Sequence, residues 1–248
     1  MTGAELVRKR MLYVGVDGCR SGWFAACISD AGWFFRLYEN VDGLWRELQE
    51  ARSIFIDIPI GLKHEGTEER RCDTLARSVL GSRRRSSVFP APCWAALDAP
   101  EYRIASRINR EISGRGLSQQ SFAIMPKIKE INTFLRDKRS AREVFREVHP
   151  EVLFWALGGG NAMQHRKSKP EGFAERVRVM ENVLEGSQAR AAEVLTRFAR
   201  AAVKRDDVLD SLAAAATALL SQGHPASIPE NPDRDIYGLP MEMVYYKP

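Results

Sequence analysis

Two aspartates lie in or next to apolar segments that are predicted to form buried strands, where a charged side chain is unusual. Asp17 follows the apolar run MLYVGV at 11–16 and precedes a glycine. Ligands bind at such a strand end, although an aspartate there can also bond its own backbone in a turn. Asp57 lies inside the apolar segment SIFIDIPI at 53–60. A buried charge needs a metal or a partner, so the alternative for Asp57 is an ion pair with a core arginine.

A third acidic group opens a helix near the end of the chain. Asp207 and Asp210 are three residues apart, and Asp206 and Asp210 are four apart. Residues at these spacings share one face of a helix. Helix capping and the helix dipole would explain Asp206 or Asp207 equally well. They do not explain Asp210, which lies one turn inside the helix.

Converging carboxylates repel one another unless a cation lies between them. Their hard oxygen ligands suit Mg²⁺ or Mn²⁺. Two such ions can activate water and stabilise the leaving oxygen in phosphodiester hydrolysis. The residues therefore predict a magnesium or manganese site.

Further acidic and histidine side chains surround the predicted fifth strand. Glu147 and His149 share a strand face, and Glu151 begins the next helix. Glu147 is a candidate catalytic residue. His149 could act as a general base, or it could be a strand-end histidine bonded to a carboxylate. The remaining histidines are isolated and receive no role.

Basic residues could hold a phosphate backbone. Three consecutive arginines, Arg83, Arg84 and Arg85, precede two serines. Guanidinium groups and hydroxyls bind phosphate oxygens, although an arginine triplet is more often a solvated patch. Lys127, beside Pro126, is a weaker candidate for the same contact.

Hydrophobic spacing predicts an alternation of strands and helices along the chain. Strands are expected over 11–16, 22–29, 33–38, 53–60, 143–149 and 241–246. Helices are expected over 41–51, 67–80, 100–112, 118–138, 170–184, 187–203 and 206–221. The opening order, three strands, a helix and a strand, is typical of an RNase H-like mixed sheet, in which three antiparallel strands are followed by parallel ones. We therefore expect an α/β fold flanked by helices.

The composition argues against a disordered protein and against a membrane-embedded one. The 248 residues are 44% hydrophobic and 28% charged, close to a soluble globular average. The four cysteines form no C-x-x-C pair, which disfavours a zinc site. No segment approaches the ~20 apolar residues of a membrane span, and the N-terminus lacks a secretory segment. These features indicate a cytoplasmic protein that is not associated with a membrane.

Charge is distributed unevenly within the expected domain. We expect an N-terminal tail over 1–10 and a single domain over 11–248, with a helical insert at about 63–140. Residues 63–146 hold 18 Lys and Arg against 10 Asp and Glu, a net charge of +8, whereas the whole chain carries +5. The basic excess therefore lies in the inserted region.

Several motifs together resemble one known family. They are GVDGCRSGW at 15–23, IDIPIG at 56–61, RRCD at 70–73, RRSSVFPAP at 84–92, GLSQQ at 116–120, PKI at 126–128, EVHPE at 147–151 and DDVLDSL at 206–212. These motifs and their order resemble those of the domain of unknown function 429 family, whose members are predicted to be RNase H-like nucleases. A similarity to RuvC-type resolvases implies that Asp17 and Asp57 bind metal and that Asp207 and Asp210 complete the site. The family motif usually has alanine at the position of Ser211.

These observations predict a metal-dependent nuclease that hydrolyses phosphodiester bonds of a nucleic acid, either DNA or RNA. Mg²⁺ or Mn²⁺ is the expected cofactor. Two alternatives remain open. One is an actin- or sugar-kinase-like protein that handles phosphate, although the chain lacks the length for two such halves. The other is a nucleic-acid-binding protein without catalytic activity.

Overall fold

The computed structural model describes residues 11–247. Its strands are β1 (Tyr13–Cys19), β2 (Gly22–Ser29), β3 (Gly32–Tyr38), β4 (Ser53–Asp57), β5 (Phe145–Glu147), β6 (Ala226–Arg234) and β7 (Pro240–Tyr245). Its α-helices are α1 (Val41–Leu48), α2 (Arg71–Arg84), α3 (Tyr102–Ser113), α4 (Gln119–Asp137), α5 (Pro150–Leu157), α6 (Pro170–Val183), α7 (Ser187–Arg197) and α8 (Arg205–Leu220).

Five strands form a mixed sheet in the order β3-β2-β1-β4-β5. Strands β1, β2 and β3 are antiparallel neighbours, whereas β4 runs parallel to β1, and β5 runs parallel to β4. Parallel neighbours need a crossover connection, and α1 lies in the crossover that leads to β4. Helices α2, α3 and α4 lie between β4 and β5. This arrangement confirms the predicted α/β fold with RNase H-like sheet topology.

The two faces of the sheet bury different sets of side chains. Val14 and Val16 of β1 pack in one cluster with Leu44 of α1 and Ile128 of α4. Because side chains alternate along a strand, Gly15 and Asp17 project toward the other face, which α8 covers.

Helix α8 lies close to the sheet because both surfaces are lined by small residues. Ala213, Ala214 and Ala216 of the helix are fully buried. A Cβ atom on Gly15 of β1 would lie 2.0 Å from the backbone oxygen of Ser211 and 2.2 Å from the backbone nitrogen of Ala215. Any larger residue at position 15 would therefore displace the helix.

The structure differs from the sequence prediction at several elements. Strand β1 was expected to end at residue 16, before a turn at Asp17, but it continues to Cys19 because β2 pairs with it along its whole length. Helix α2 begins four residues later than expected, and β5 is shorter. Strand β6 was not predicted, because Pro229 and Pro232 within it argue against a strand. It pairs with β7, around a register shift.

Two further findings concern the described residues. All four cysteines are free and buried, so none forms a disulfide. Within residues 11–247, no helix is both long enough and apolar enough to cross a membrane.

Candidate metal site

Three of the predicted aspartates converge at one point. Asp17, Asp57 and Asp210 each offer a carboxylate oxygen, and the three oxygens lie within 4.8 Å of one another. This distance confirms the expectation that the two strands and the last helix bring their carboxylates together. Each oxygen could contact one ion, since Mg²⁺–oxygen bonds measure about 2.1 Å.

Strand register and helix packing place these three side chains. Asp17 of β1 is the register partner of Asp57 of β4, so the two project from adjacent strands toward the same face. That face is the one covered by α8. Asp210 adjoins Ser211, whose backbone oxygen contacts the sheet at Gly15. The close packing at this glycine therefore brings the helical carboxylate to the strand pair.

Burial makes these carboxylates costly to ionise together. Asp17 is 8% exposed and Asp210 is 2% exposed, whereas Asp57 is partly open to a cavity. Desolvation and then the charges of Asp57 and Asp210 raise the pKa of Asp17 well above its ordinary value. Desolvation and the charge of Asp210 raise the pKa of Asp57 to about 8. A cation at this point would favour the ionised forms of all three.

One lysine that the sequence did not single out reaches this cluster. Lys167 Nζ donates a hydrogen bond to Asp210 Oδ2 at 2.7 Å. Burial opposes the charge on this lysine, but Asp210 and Asp17 outweigh it and raise the pKa of Lys167. Lys167 lies in a segment between α5 and α6 that carries no periodic pattern, so only the three-dimensional structure places it here.

The other acidic residues of the helix do not join the three. Asp207 Oδ2 accepts a hydrogen bond from the backbone nitrogen of Lys204 at 2.8 Å, which caps α8. Asp206 precedes it in the first turn. Asp207 therefore makes the contact expected of a helix cap. Of the acidic residues of α8, Asp210 is the one that lies with Asp17 and Asp57.

Glu147 lines the same cavity but is not one of the three converging carboxylates. It is the register partner of Ile56, and side-chain alternation therefore directs it to the face opposite Asp57. Its two oxygens accept hydrogen bonds from Arg70, each at 2.8 Å, and Oε2 also accepts from the backbone nitrogen of Ile60. Burial outweighs this pairing and raises the pKa of Glu147 to about 7. Asp73 binds the same arginine, so Glu147 belongs to a buried ion-pair cluster.

His149 caps the start of α5. Its Nδ1 accepts from the backbone nitrogen of Glu151, and Nε2 lies 3.3 Å from the carbonyl oxygen of Ser87. Burial lowers the pKa of His149 to about 4. Glu151 in turn pairs with Arg176 at 2.5 Å and lies 3.8 Å from Arg84. These contacts hold the start of α5 against α2 and α6.

The three consecutive arginines have different environments. Arg84 is buried and donates to the carbonyl oxygen of Met163 at 2.8 Å, whereas Arg83 and Arg85 are exposed. Lys127 is half-buried, and its Nζ donates to the carbonyl oxygen of Gly22 at 2.6 Å. The triplet is therefore not one continuous basic patch.

A cavity of about 470 Å³ opens beside the aspartates. Asp17 and Asp57 form part of its wall. Apolar and cationic side chains form other parts of it, among them Val88, Phe89, Ile124, Arg84, Lys127 and Arg166. Of the three consecutive arginines, Arg84 alone lines this cavity. Arg166, like Lys167, was not identified from the sequence.

The donor set suits a hard divalent cation. All three candidate ligands are carboxylates, and Asp210 Oδ1 is buried without a hydrogen-bond partner. A buried polar atom left unpaired is costly, and an ion would satisfy it. A second group of metal-binding residue types, Cys72, Asp73 and Glu147, is already bridged by Arg70. The aspartate cluster is therefore the better candidate for a metal.

Comparison with known proteins identifies the family. No curated protein and no solved structure is significantly similar to the chain. One family model, described as a protein of unknown function (DUF429), matches residues 15–234. That match spans most of the chain, including all three converging aspartates, and the chain belongs to the DUF429 family.

Proposed function

We propose that this protein is a metal-dependent hydrolase that cleaves phosphodiester bonds of a nucleic acid. The observation that carries the proposal is the convergence of Asp17, Asp57 and Asp210 within 4.8 Å on one end of an RNase H-like sheet. These residues would hold Mg²⁺ or Mn²⁺, because both ions prefer carboxylate oxygens. A divalent ion bound there would supply the positive charge and Lewis acidity that phosphodiester hydrolysis requires.

The protein's own side chains would then position the substrate. The cavity beside the aspartates carries Arg166 and Lys127 on its wall. Arg166 is exposed, so its guanidinium is accessible to a phosphate. Lys127 lies 4.4 Å above the ring of Trp23, which holds its ammonium near the cavity. Contacts of this kind orient a nucleic acid without reading its sequence.

The size of the cavity supports a second candidate. A volume of about 470 Å³ lies within the range of small-molecule sites. It is compatible with one nucleotide at the end of a strand, or with a small phosphate ester that is not part of a polymer. The second candidate function is therefore hydrolysis of a small phosphate ester at the same three aspartates.

A cleavage assay tests both candidates. Labelled single-stranded and duplex DNA and RNA, and a chromogenic phosphodiester such as bis-p-nitrophenyl phosphate, are incubated with the protein and Mg²⁺ or Mn²⁺. The proposal predicts cleavage that a chelator abolishes and that Asp57→Asn removes. Asp30→Asn, an exposed aspartate in the turn between β2 and β3, serves as the control and retains activity.

The outcomes separate the candidates. Cleavage of a polymer supports the nuclease, and cleavage of the small ester alone supports the second candidate. Activity of a folded Asp57→Asn variant at the wild-type rate would overturn the assignment of the site.

A further inference from the structure

Lys167 contacts the candidate metal site from a segment that the rest of the protein holds in place. Glu175 of α6 accepts hydrogen bonds from the backbone nitrogens of Gln164 and His165 at 2.7 and 2.9 Å. Arg176 Nη1 donates to the carbonyl oxygen of His165 at 3.1 Å. The segment before Lys167 is thus anchored at several points, and its ammonium group is aimed at Asp210.

The two carboxylate oxygens of Asp210 have different environments. Oδ2 accepts from Lys167 Nζ at 2.7 Å, and Oδ1 is buried without a partner. The carboxylate is itself only 2% exposed, so water offers little compensation. Asp210 therefore has one oxygen available to an ion and one oxygen already neutralised by an ammonium.

Two carboxylate oxygens near the site are already bonded to protein groups. Asp207, the further ligand that the similarity to resolvases implies, uses Oδ2 to cap α8 through the backbone nitrogen of Lys204. Asp210 Oδ2 accepts from Lys167. Three carboxylates and one ammonium leave a net charge of −2 at the cluster, which one divalent ion neutralises.

We propose that the site takes a single divalent ion and that the ammonium of Lys167 stands in place of a second one. The inference rests on the proposed function, because it assumes that Asp17, Asp57 and Asp210 bind metal. Lys167 would then act as a fixed positive charge beside the ion, available to the phosphate of a substrate. Within the described residues, it is the side chain whose cationic group bonds directly to one of the three aspartates.

Counting bound ions tests this inference without any assay of activity. Mn²⁺ alone is titrated into the full chain, and the number of ions bound per chain is measured by calorimetry and by electron paramagnetic resonance. Three proteins are compared: wild type, Lys167→Met, which keeps the length of the side chain and removes its charge, and Lys169→Met. Lys169 is an exposed lysine of the same segment, and it makes no side-chain bond to the aspartates.

The inference predicts one Mn²⁺ for wild type and for Lys169→Met, and two for Lys167→Met. In the electron paramagnetic resonance spectrum, the second ion of Lys167→Met should appear as spin coupling between two neighbouring Mn²⁺ ions.

Each other result would contradict either the role of Lys167 or the proposed function. Two ions in wild type would disprove the role of Lys167 and leave the proposed function intact. No ion in wild type would disprove the proposed function itself. One ion in Lys167→Met, whatever its affinity, would show that the lysine does not occupy the place of a second cation. Even if the variant does not fold, a count of two ions in wild type would overturn the inference.

Discussion

Asp17 and Asp57 are register partners on adjacent parallel strands, β1 and β4. Two carboxylates that project side by side from neighbouring strands repel each other, and burial increases the cost. The sheet therefore holds a charge pair that no packing requirement explains. A bound cation explains it, because it converts the repulsion into shared coordination.

This repulsion predicts how stability depends on pH. The pKa of Asp57 is raised to about 8, so the folded protein keeps a proton that the unfolded chain releases near pH 4. Stability of the protein in a chelator should therefore fall as pH rises from about 4 to about 8. The lowered pKa of His149 gives the opposite slope, but only below about pH 6.5. The window from pH 6.5 to 8 thus reports on the carboxylates.

Asp57→Asn should flatten this slope by up to about 1.4 kcal/mol per pH unit, the value for one proton. Denaturant unfolding in a chelator at pH 6.5, 7.2 and 8.0 measures it, with Asp30→Asn as the control. Glu147, whose pKa is raised to about 7, leaves some slope in both variants. An Asp57→Asn variant with the wild-type slope would contradict the raised pKa.

The close approach of α8 to β1 predicts that Gly15→Ala is strongly destabilising. The added methyl group would meet the backbone of Ser211 and Ala215 at 2.0 and 2.2 Å. Backbone cannot move aside as a side chain can, so we expect a loss of about 3 kcal/mol or more in the free energy of unfolding. Because Asp210 would move with the helix, the apparent affinity for Mn²⁺ should fall as well.

Gly43→Ala in α1 is the matched control. Its Cβ would approach only the side-chain oxygen of Asn40, at 3.3 Å. Gly43 lies in the first turn of α1, where its backbone nitrogen donates to that same oxygen, so this variant should lose far less stability than Gly15→Ala. A Gly15→Ala variant with wild-type stability would show that α8 does not lie as close to the sheet as described.

The different environments of the three arginines predict different effects of their removal. Arg84→Ala should lower the free energy of unfolding by about 3 kcal/mol, because it leaves Glu151 with one buried partner fewer. Replacing Arg83 and Arg85 together should change stability by no more than about 0.5 kcal/mol. If these two bind phosphates, the double variant should reduce the salt dependence of nucleic-acid binding by about 0.7 to 0.9 per arginine.

Titration of labelled DNA and RNA over a series of salt concentrations checks this prediction. A double variant with an unchanged slope would identify Arg83 and Arg85 as a solvated patch. Arg166→Ala provides the comparison, since Arg166 lines the cavity whereas these two do not.

The ion-pair cluster around Arg70 predicts that Glu147 acts on stability rather than on metal binding. Glu147→Gln removes one of two buried carboxylates that neutralise the guanidinium. Breaking a buried pair in this way costs about 3 kcal/mol or more. Affinity for Mn²⁺ should stay within about twofold of wild type. A tenfold loss of Mn²⁺ affinity with unchanged stability would instead make Glu147 a ligand.

The sequence predicted those features that follow from periodicity and strand order. Asp17 and Asp57 each follow an apolar run, and the order of strands makes β1 and β4 neighbours, on which the two aspartates are register partners. Asp210 was identifiable because a carboxylate one turn inside an apolar helix has no capping role. These are local patterns, and the long-range contacts followed from the fold class that they indicated.

Other features depend on contacts that no local pattern encodes. Asp207 could be a ligand or a helix cap, and only the direction of its side chain distinguishes these roles. Lys167 and Arg166 lie in an irregular segment, where spacing gives no information on which side chain turns inward. The pairing of Glu147 with Arg70, 77 residues away along the chain, is likewise visible only in the structure. Strand β6 is not predicted from the sequence, because its prolines argue against a strand.

Anomalous diffraction from crystals soaked in Mn²⁺ tests the central claim, that three aspartates form a divalent-metal site. We expect an anomalous peak about 2.1 Å from one oxygen each of Asp17, Asp57 and Asp210, which disappears in crystals of Asp57→Asn. No peak between these side chains at saturating Mn²⁺, or a peak only at Cys72, Asp73 and Glu147, would contradict it.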